Sequence, residues 1–202
     1  MPSEGTFPVR LHLLHDRYTE PDEAMAAIEN SPLFKELQQK YQEYRDPMTR
    51  PVPNKKHDLM TALLGPLKIE GTPRAWTSDD QKVHIRIYYL GSSLCFHQGV
   101  AHGGLLATLM DEAFARCAPF LPHNVGATAS FTLDYRAPVH VTQYIVLHAE
   151  IVNVEGRKAW LQRYITPLPA SNEKPPVLVE ASSLFVSPRE AEASVFHDIF
   201  YN

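Results

Sequence analysis

The segment from Val100 to Ala118, VAHGGLLATLMDEAFARCA, is the stretch of sequence that decides the fold. It opens with a histidine and two glycines and continues as an apolar run in which leucines, alanines and methionine leave little room for a solvated face. A helix that is apolar nearly all round is a buried helix, and an antiparallel sheet that curls around one helix needs such a helix. We therefore predict a central buried helix that begins at His102 and includes Cys117.

Alternating polar and apolar residues, typical of half-buried β-strands, flank this helix on both sides. The alternation predicts strands at residues 83–89 and 127–135, and four further stretches are predicted as strands at residues 67–77, 144–154, 158–165 and 177–186. Two strands thus precede the helix and four follow it. Glu155-Gly156-Arg157 suits a short hairpin turn between the fourth and fifth strands. The sequence thus predicts an α+β fold, an antiparallel sheet of about six strands wrapped around one long helix.

Residues 1–65 are predicted to form an N-terminal helical extension and linker, and residues 66–202 the main domain. Ser31-Pro32 is typical of a helix start, and residues at helical spacing follow it: Leu33, Phe34, Leu37, Tyr41 and Tyr44. We expect this helix to cover a face or an edge of the sheet. The prolines at 47, 51 and 53 predict a linker over residues 45–54, and a short terminal helix is predicted from about Pro188.

Composition limits the classes of partner. The 202 residues carry a formal charge of -4, which gives no basic surplus for nucleic acid, and no apolar stretch approaches the length of a membrane helix. The two cysteines, Cys95 and Cys117, have neither zinc-site nor disulfide-framework spacing. We expect an intracellular protein, in the cytoplasm or, if a presequence precedes these residues, in mitochondria.

Two adjacent acids, Asp111 and Glu112, interrupt the apolar helix. An ionised carboxylate in such a setting is costly unless it is paired or reaches a wet cavity. Neighbouring side chains on a helix point about 100° apart, so the two acids cannot share one role. We expect one acid to reach a cleft, and Glu112 to pair with Arg116, four positions beyond it. A structural ion pair remains the alternative for either acid.

Gly103 and Gly104 occupy the helix start, where backbone N–H groups lack helical partners and the helix dipole is positive. Such an end can bind a carbonyl oxygen as it becomes an oxyanion, although the glycines could equally serve a tight turn. A lone histidine such as His102 at a helix entry is more often a cap than a catalyst.

The distance along the helix constrains how these groups could act together. Gly103 and Asp111 are eight residues apart, which corresponds to roughly 12 Å of helix, so one scissile bond cannot touch both groups of one chain. If both act on one substrate, they come from two antiparallel helices, an arrangement that a two-fold dimer provides.

Two motifs together resemble a known family. His102-Gly103-Gly104 with the Ala107–Asp111 segment, followed by the strand Thr128–Pro138, is similar to the hotdog-fold acyl-CoA thioesterases of the PaaI and thioesterase-superfamily-member type. The resemblance extends over about Leu67 to Ser187. It implies a sheet wrapped around the central helix, protomers paired into a continuous sheet, and active sites at the dimer interface.

The resemblance also implies roles for individual residues. Asp111 is the general base or nucleophile, the Gly103 N–H is the oxyanion donor, and Thr128 orients the attacking water, unless Thr128 lies on an outward strand face. His102 belongs to the same catalytic loop.

The remaining site residues follow from one departure from the family pattern. Some relatives place an amide six positions before the histidine, where this chain has Phe96. Substrate contacts are therefore expected from Gly104 and from His97 or Gln98.

The expected reaction is hydrolysis of acyl-CoA by a homodimer, which could pair further into a tetramer, with no metal and no organic cofactor. The alternative is a non-catalytic module that binds acyl-CoA or lipid.

Overall fold

A computed structural model describes residues 26–45, 59–97, 99–113, 120–122 and 126–189. Before the central helix come helix α1 (Pro32–Lys40), strand β1 (Gln42–Arg45), the short helix α2 (Leu59–Leu63), and strands β2 (Ile69–Thr77), β3 (Val83–Leu90), β4 (Cys95–His97) and β5 (Val100–Ala101). The central helix is α3 (Gly103–Glu112). It is followed by strands β6 (Ala127–Tyr135), β7 (Gln143–Glu155), β8 (Lys158–Pro167) and β9 (Val179–Val186).

Seven of these strands form one sheet, in the order β1-β2-β3-β7-β8-β9-β6, and every neighbouring pair is antiparallel. β4 and β5 form a separate two-stranded ribbon just before the central helix. All six strands predicted from the alternating pattern are present, and Gly156, at φ 55°, lies in the predicted hairpin turn. The α+β architecture predicted from the sequence is therefore confirmed; the sheet has one strand more than predicted, β1, and the ribbon adds β4 and β5.

The central helix packs on one face of the sheet, which we call the concave face. Leu105, Leu106, Leu109 and Met110 are buried there, in a core shared with Ile145, Leu147 and Ile165 of the sheet. Each fully buried side chain of this size stabilises the fold by about 1.5–3 kcal/mol. The helix starts where predicted; its predicted continuation through Cys117, with the Glu112–Arg116 pair, lies outside the described residues.

Helix α1 covers part of the opposite, convex face. Phe34 and Leu37 are buried against Trp76, Ile85 and Ile87, and the rings of Phe34 and Trp76 meet edge to face at 6.2 Å. The expectation that this helix covers the sheet is confirmed.

The predicted extent of that helix was wrong at its C-terminal end. It ends at Lys40, and Tyr41 is already extended at φ -132° and ψ 154°. Tyr44 belongs to β1, where it pairs with Ala75 of β2. The unpaired backbone groups at the outer edge of β2 offer this segment hydrogen bonds, which outweigh its helical spacing. The predicted linker beyond Arg45 and the helix predicted from about Pro188 fall largely outside the described residues.

None of the helices in the described ranges is long and apolar enough to cross a membrane.

Candidate active site

Asp111 lies in the last turn of α3, and its side chain is exposed in the protomer. The Thr128 hydroxyl, on β6, donates a hydrogen bond of 2.7 Å to Asp111 Oδ1. Two residues that the sequence singled out, seventeen positions apart, are therefore in direct contact. A hydroxyl that donates to a carboxylate holds the acid in one orientation and leaves its second oxygen for another partner.

A bulge in β6 makes this contact possible. Thr128 pairs with Phe185 and Ser130 pairs with Leu184, so Ala129 is the extra residue between them. Phe185 packs into the core of the concave face, and directly opposed residues share a face of the sheet. Without the bulge, the strict alternation of β6 would place Thr128 on the convex face. The alternative of a Thr128 on the outward strand face therefore does not hold, because a one-residue shift of register reverses the face.

The N-terminal end of α3 forms a second group of polar contacts. His102 is the N-cap residue, and its Nδ1 accepts a hydrogen bond of 2.9 Å from the Gly104 N–H. The imidazole thus caps the helix, and because Nδ1 is an acceptor, the proton of the neutral ring is assigned to Nε2.

The cap leaves one N–H at the helix start. The N–H groups of Leu105 and Leu106 both donate to the His102 carbonyl, at 2.9 and 3.2 Å. The Leu106 bond spans four residues and is the first regular bond of the helix. Of the four N–H groups that a helix start leaves without helical partners, Leu105 and Gly104 are thus satisfied within the cap, and the His102 N–H donates to the Leu94 carbonyl at 3.0 Å. The fourth, the N–H of Gly103, has no protein acceptor among the described residues. It is the group that the sequence analysis assigned as oxyanion donor.

Gly103 lines an open, largely apolar cleft of about 760 Å³. His97, Phe96 and Val139 line the same cleft, so the structure places His97 near the proposed oxyanion donor. Phe96 is 77% exposed, and its ring lies edge to face against His102 at 5.5 Å. Gln98, the other predicted substrate-binding residue, lies outside the described residues.

Tyr135 is a polar residue of this cleft to which the sequence analysis gave no role. Its hydroxyl donates a hydrogen bond of 2.8 Å to the Gly103 carbonyl, and its ring lines the cleft. Partial desolvation raises the pKa of Tyr135 above its ordinary value of 10.0, so at neutral pH the phenol is protonated and can donate. The only sequence signal for Tyr135 was its place in the Tyr-x-x-Pro end of the β6 motif.

The candidate residues thus form two groups at opposite ends of one helix. Asp111 and Thr128 are at the C-terminal end, and Gly103, Gly104, His102 and His97 are at the N-terminal end. Eight residues of helix separate the ends by roughly 12 Å within one protomer. The structure therefore brings each group together, but does not join the two groups within one chain.

No cluster of three or more histidine, cysteine or acidic side chains that could hold a metal ion is found in the described part of the chain. The expectation that neither metal nor cofactor is needed stays a prediction.

The antiparallel sheet wrapped around α3 defines the hotdog class of fold. Residues 98–161 match the model of the thioesterase superfamily. This segment, about a third of the chain, contains the HGG loop, Asp111 and all of β6, and over it the chain is similar to that superfamily. The resemblance identified from the two sequence motifs is confirmed.

Three relatives illustrate the similarity. A mitochondrial protein of Candida albicans (strain WO-1), itself uncharacterized, is 27% identical over 83% of this chain and 78% of its own length. The acyl-coenzyme A thioesterase THEM4 of Mus musculus is 26% identical over 52% of this chain and 44% of its own length. A crystal structure of RHA08564, a thioesterase superfamily protein, aligns with a TM-score of 0.48 at 22% identity, covering 57% of this chain and 54% of that one.

Proposed function

We propose that this protein hydrolyses acyl-CoA thioesters to a free acid and CoA. The observation that carries the proposal is the hydrogen bond from Thr128 to Asp111 Oδ1. It orients a carboxylate on a helix whose other end presents the Gly103 N–H, which has no acceptor among the residues that the structure describes. A carboxylate that can take a proton and a donor that can bind an oxyanion are the two groups that hydrolysis of an acyl thioester requires.

The proposed hydrolysis consists of two bond changes: water adds to the carbonyl carbon, and the carbon–sulfur bond breaks. The thioester carbonyl oxygen accepts a hydrogen bond from the Gly103 N–H, which stabilises the negative charge that develops when water adds to the carbonyl carbon. Asp111, as general base, takes the proton of that water, and Thr128 holds the carboxylate in line. The carbon–sulfur bond then breaks, and the CoA thiolate takes up the proton. If Asp111 instead attacks the carbonyl carbon directly, the carbon–sulfur bond breaks, the CoA thiolate leaves and a mixed anhydride forms. Water cleaves the anhydride in a second step, which releases the acid, restores the Asp111 carboxylate and supplies the proton that the thiolate takes up.

A homodimer would bring the two groups to one substrate. β6 is an edge strand of the sheet, with most of its nine residues exposed, and no described strand pairs with its outer edge. A long, exposed edge favours pairing with another chain. Two-fold pairing would place the Gly103 of one protomer beside the Asp111 of its partner and create two equivalent sites. Measurement of the particle size in solution would show whether the dimers pair further into a tetramer.

The names of two relatives support the proposed substrate class and compartment. The mouse relative is named as an acyl-coenzyme A thioesterase; because the match spans less than half of its length, this activity belongs to the proposal. The Candida albicans relative is named as mitochondrial, so we propose mitochondria rather than the cytoplasm, which the comparisons do not support.

The test is a thiol-release assay with acyl-CoA substrates of several chain lengths. Wild type should turn over at least one of them, and Asp111→Asn should lose most activity, because the amide cannot accept the proton. Thr128→Ala should lose less, and Glu112→Gln, a matched control on the same helix, should retain activity. Circular dichroism would confirm that each variant is folded.

Two outcomes would contradict the proposal. Wild type that binds CoA ligands but releases no thiol would be a binding module. Full activity in Asp111→Asn together with loss in Glu112→Gln would show that the wrong acid has been assigned.

A further inference from the structure

The peptide group between Gly103 and Gly104 is held by side chains on both sides. Its carbonyl oxygen, on Gly103, accepts the hydrogen bond of 2.8 Å from the Tyr135 hydroxyl. Its N–H, on Gly104, donates the hydrogen bond of 2.9 Å to His102 Nδ1. A peptide group is a rigid plane, so these two bonds together resist its rotation. We call this arrangement the peptide clamp.

The clamp acts where the backbone is otherwise least restrained. Glycine permits a wide range of backbone angles, and two glycines in succession stand at the start of α3. The unpaired N–H of Gly103 belongs to the preceding peptide group, which shares the Gly103 Cα with the clamped one. Fixing the clamped group therefore removes one of the two rotations at Gly103 that could turn its N–H away from the cleft.

The close approach of Tyr135 depends on glycine at position 103. A Cβ atom placed on Gly103 would lie 2.9 Å from the Tyr135 hydroxyl oxygen and 3.2 Å from the ring carbon that carries it. Both distances are shorter than ordinary contacts between a Cβ and another heavy atom. The glycine that supplies the N–H is thus also the residue that admits the phenol.

We propose that Tyr135 is a positioning residue, which acts through the Gly103–Gly104 peptide and together with His102 to fix the Gly103 N–H toward the cleft. This inference rests on the proposed thioesterase function. The Tyr135 hydroxyl bonds to the Gly103 carbonyl, which belongs to the clamped peptide and not to the peptide that carries the donor N–H. Tyr135 therefore orients the donor, while the Gly103 N–H and Asp111 are the groups that act on the reacting atoms. Hydrogen bonds in series also polarise one another, so loss of the phenol weakens the bond between Gly104 and His102.

The variant that isolates the hydroxyl is Tyr135→Phe, since it keeps the ring in the cleft. One neutral hydrogen bond contributes roughly 1 kcal/mol, so kcat should fall about fivefold. KM should change less than about twofold, because the bond positions a donor that acts on the transition state. Tyr164→Phe is the matched control, because Tyr164 lies on the convex face, stacked on His148 at 4.5 Å, and this change should leave kcat unaltered.

A second readout detects the clamp without turnover. The chain has nine glycines, so labelling glycine with ¹⁵N gives a small set of amide signals in which Gly104 can be assigned. Exchange of the Gly104 amide proton with water should be several-fold faster in Tyr135→Phe and unchanged in Tyr164→Phe. The ¹⁵N shift of His102 Nδ1 should show a hydrogen-bonded acceptor in wild type and a weaker bond in Tyr135→Phe.

The outcomes separate this inference from the function on which it rests. Faster Gly104 exchange with lower kcat and steady KM supports the positioning role. In an enzyme that turns over acyl-CoA, unchanged Gly104 exchange, or faster exchange with unaltered kcat, overturns this inference and leaves the function standing. Absence of turnover in wild type overturns the function first, and the positioning role with it.

Discussion

Replacing Gly103 by proline removes the proposed oxyanion donor and keeps a residue that suits the first position of a helix, at the cost of a Cβ close to the Tyr135 hydroxyl. Proline has no backbone N–H, and position 103 is the first residue of α3, where helices accept proline because that N–H has no helical partner. The residue before a proline must be extended, and His102 already is, at φ -63° and ψ 127°. No hydrogen bond within the described part of the chain is lost, since the Gly103 N–H has no protein acceptor there.

The expected loss is large for a change of this kind. Removal of one preorganised oxyanion donor typically lowers kcat by about 10²–10³, or roughly 3–4 kcal/mol of transition-state stabilisation. The loss should appear in kcat, because the donor binds the oxyanion more strongly than the ground-state carbonyl.

Gly103→Ala is the control that separates the N–H from added bulk. Alanine keeps the donor and adds a Cβ 2.9 Å from the Tyr135 hydroxyl, as proline also does. Gly103→Ala requires only the end of the Tyr135 side chain to move, so the kcat of this variant should fall by less than about tenfold, in line with one distorted hydrogen bond.

Both variants would be assayed by thiol release, and binding of a non-hydrolysable CoA analogue would be titrated directly, because the proline ring also occupies space at the cleft. Equal losses in the two variants, or near-wild-type kcat in Gly103→Pro, would refute the assignment of the Gly103 N–H.

Three further predictions concern the composite site, the buried His148 and the packing of Leu37. Mixing inactive Gly103→Pro and Asp111→Asn chains under reassociating conditions should restore about a quarter of wild-type activity. Half of the dimers would be mixed, and each mixed dimer would have one intact composite site out of two. No recovery of activity would place the site within one chain. Burial lowers the pKa of His148 from 6.5 to about 4, so the unfolded chain binds more protons between these values and stability falls as the pH drops through that window. Urea unfolding at about pH 7.5 and about pH 5 should show wild type losing about 2 kcal/mol more than His148→Phe, and equal losses would contradict this. Leu37 lies on α1 and is 1% exposed, so Leu37→Ala should lower the free energy of unfolding by about 2–5 kcal/mol in the same assay.

Features of the fold that depend on periodicity could be predicted from the sequence. Residues 83–89 and 127–135 alternate clearly enough to predict strands, and the HGG segment begins a helix apolar enough to predict a buried position in an α+β domain. Tyr44 shows where periodicity misleads: it lies at helical spacing from Leu37 and Tyr41, yet pairs with Ala75 at the edge of the sheet. Edge pairing depends on which backbone groups are unpaired after folding, and residue spacing does not encode this.

The site was predictable only in part, for a related reason. Asp111 could be singled out from the sequence because it is an acid in an apolar run. The alternation of β6 placed Thr128 on the wrong face of the sheet. The bulge at Ala129 could not be predicted, because it lies in a run of small and β-branched residues that gives no signal for it. Tyr135 carried no signal beyond its motif, since its role depends on a contact with a backbone carbonyl 32 positions away. Such contacts arise from tertiary packing.

Strand β6 links the two halves of the site within each protomer. Thr128 near its start orients Asp111, and Tyr135 at its end bonds to Gly103, so one strand contacts both ends of α3. The outer edge of the same strand is where the proposed dimer would pair. Pairing along that edge would restrain the strand and, through these two side chains, both the carboxylate and the oxyanion donor. Dimerisation would then do more than bring two half-sites together: it would also order each half before substrate binds.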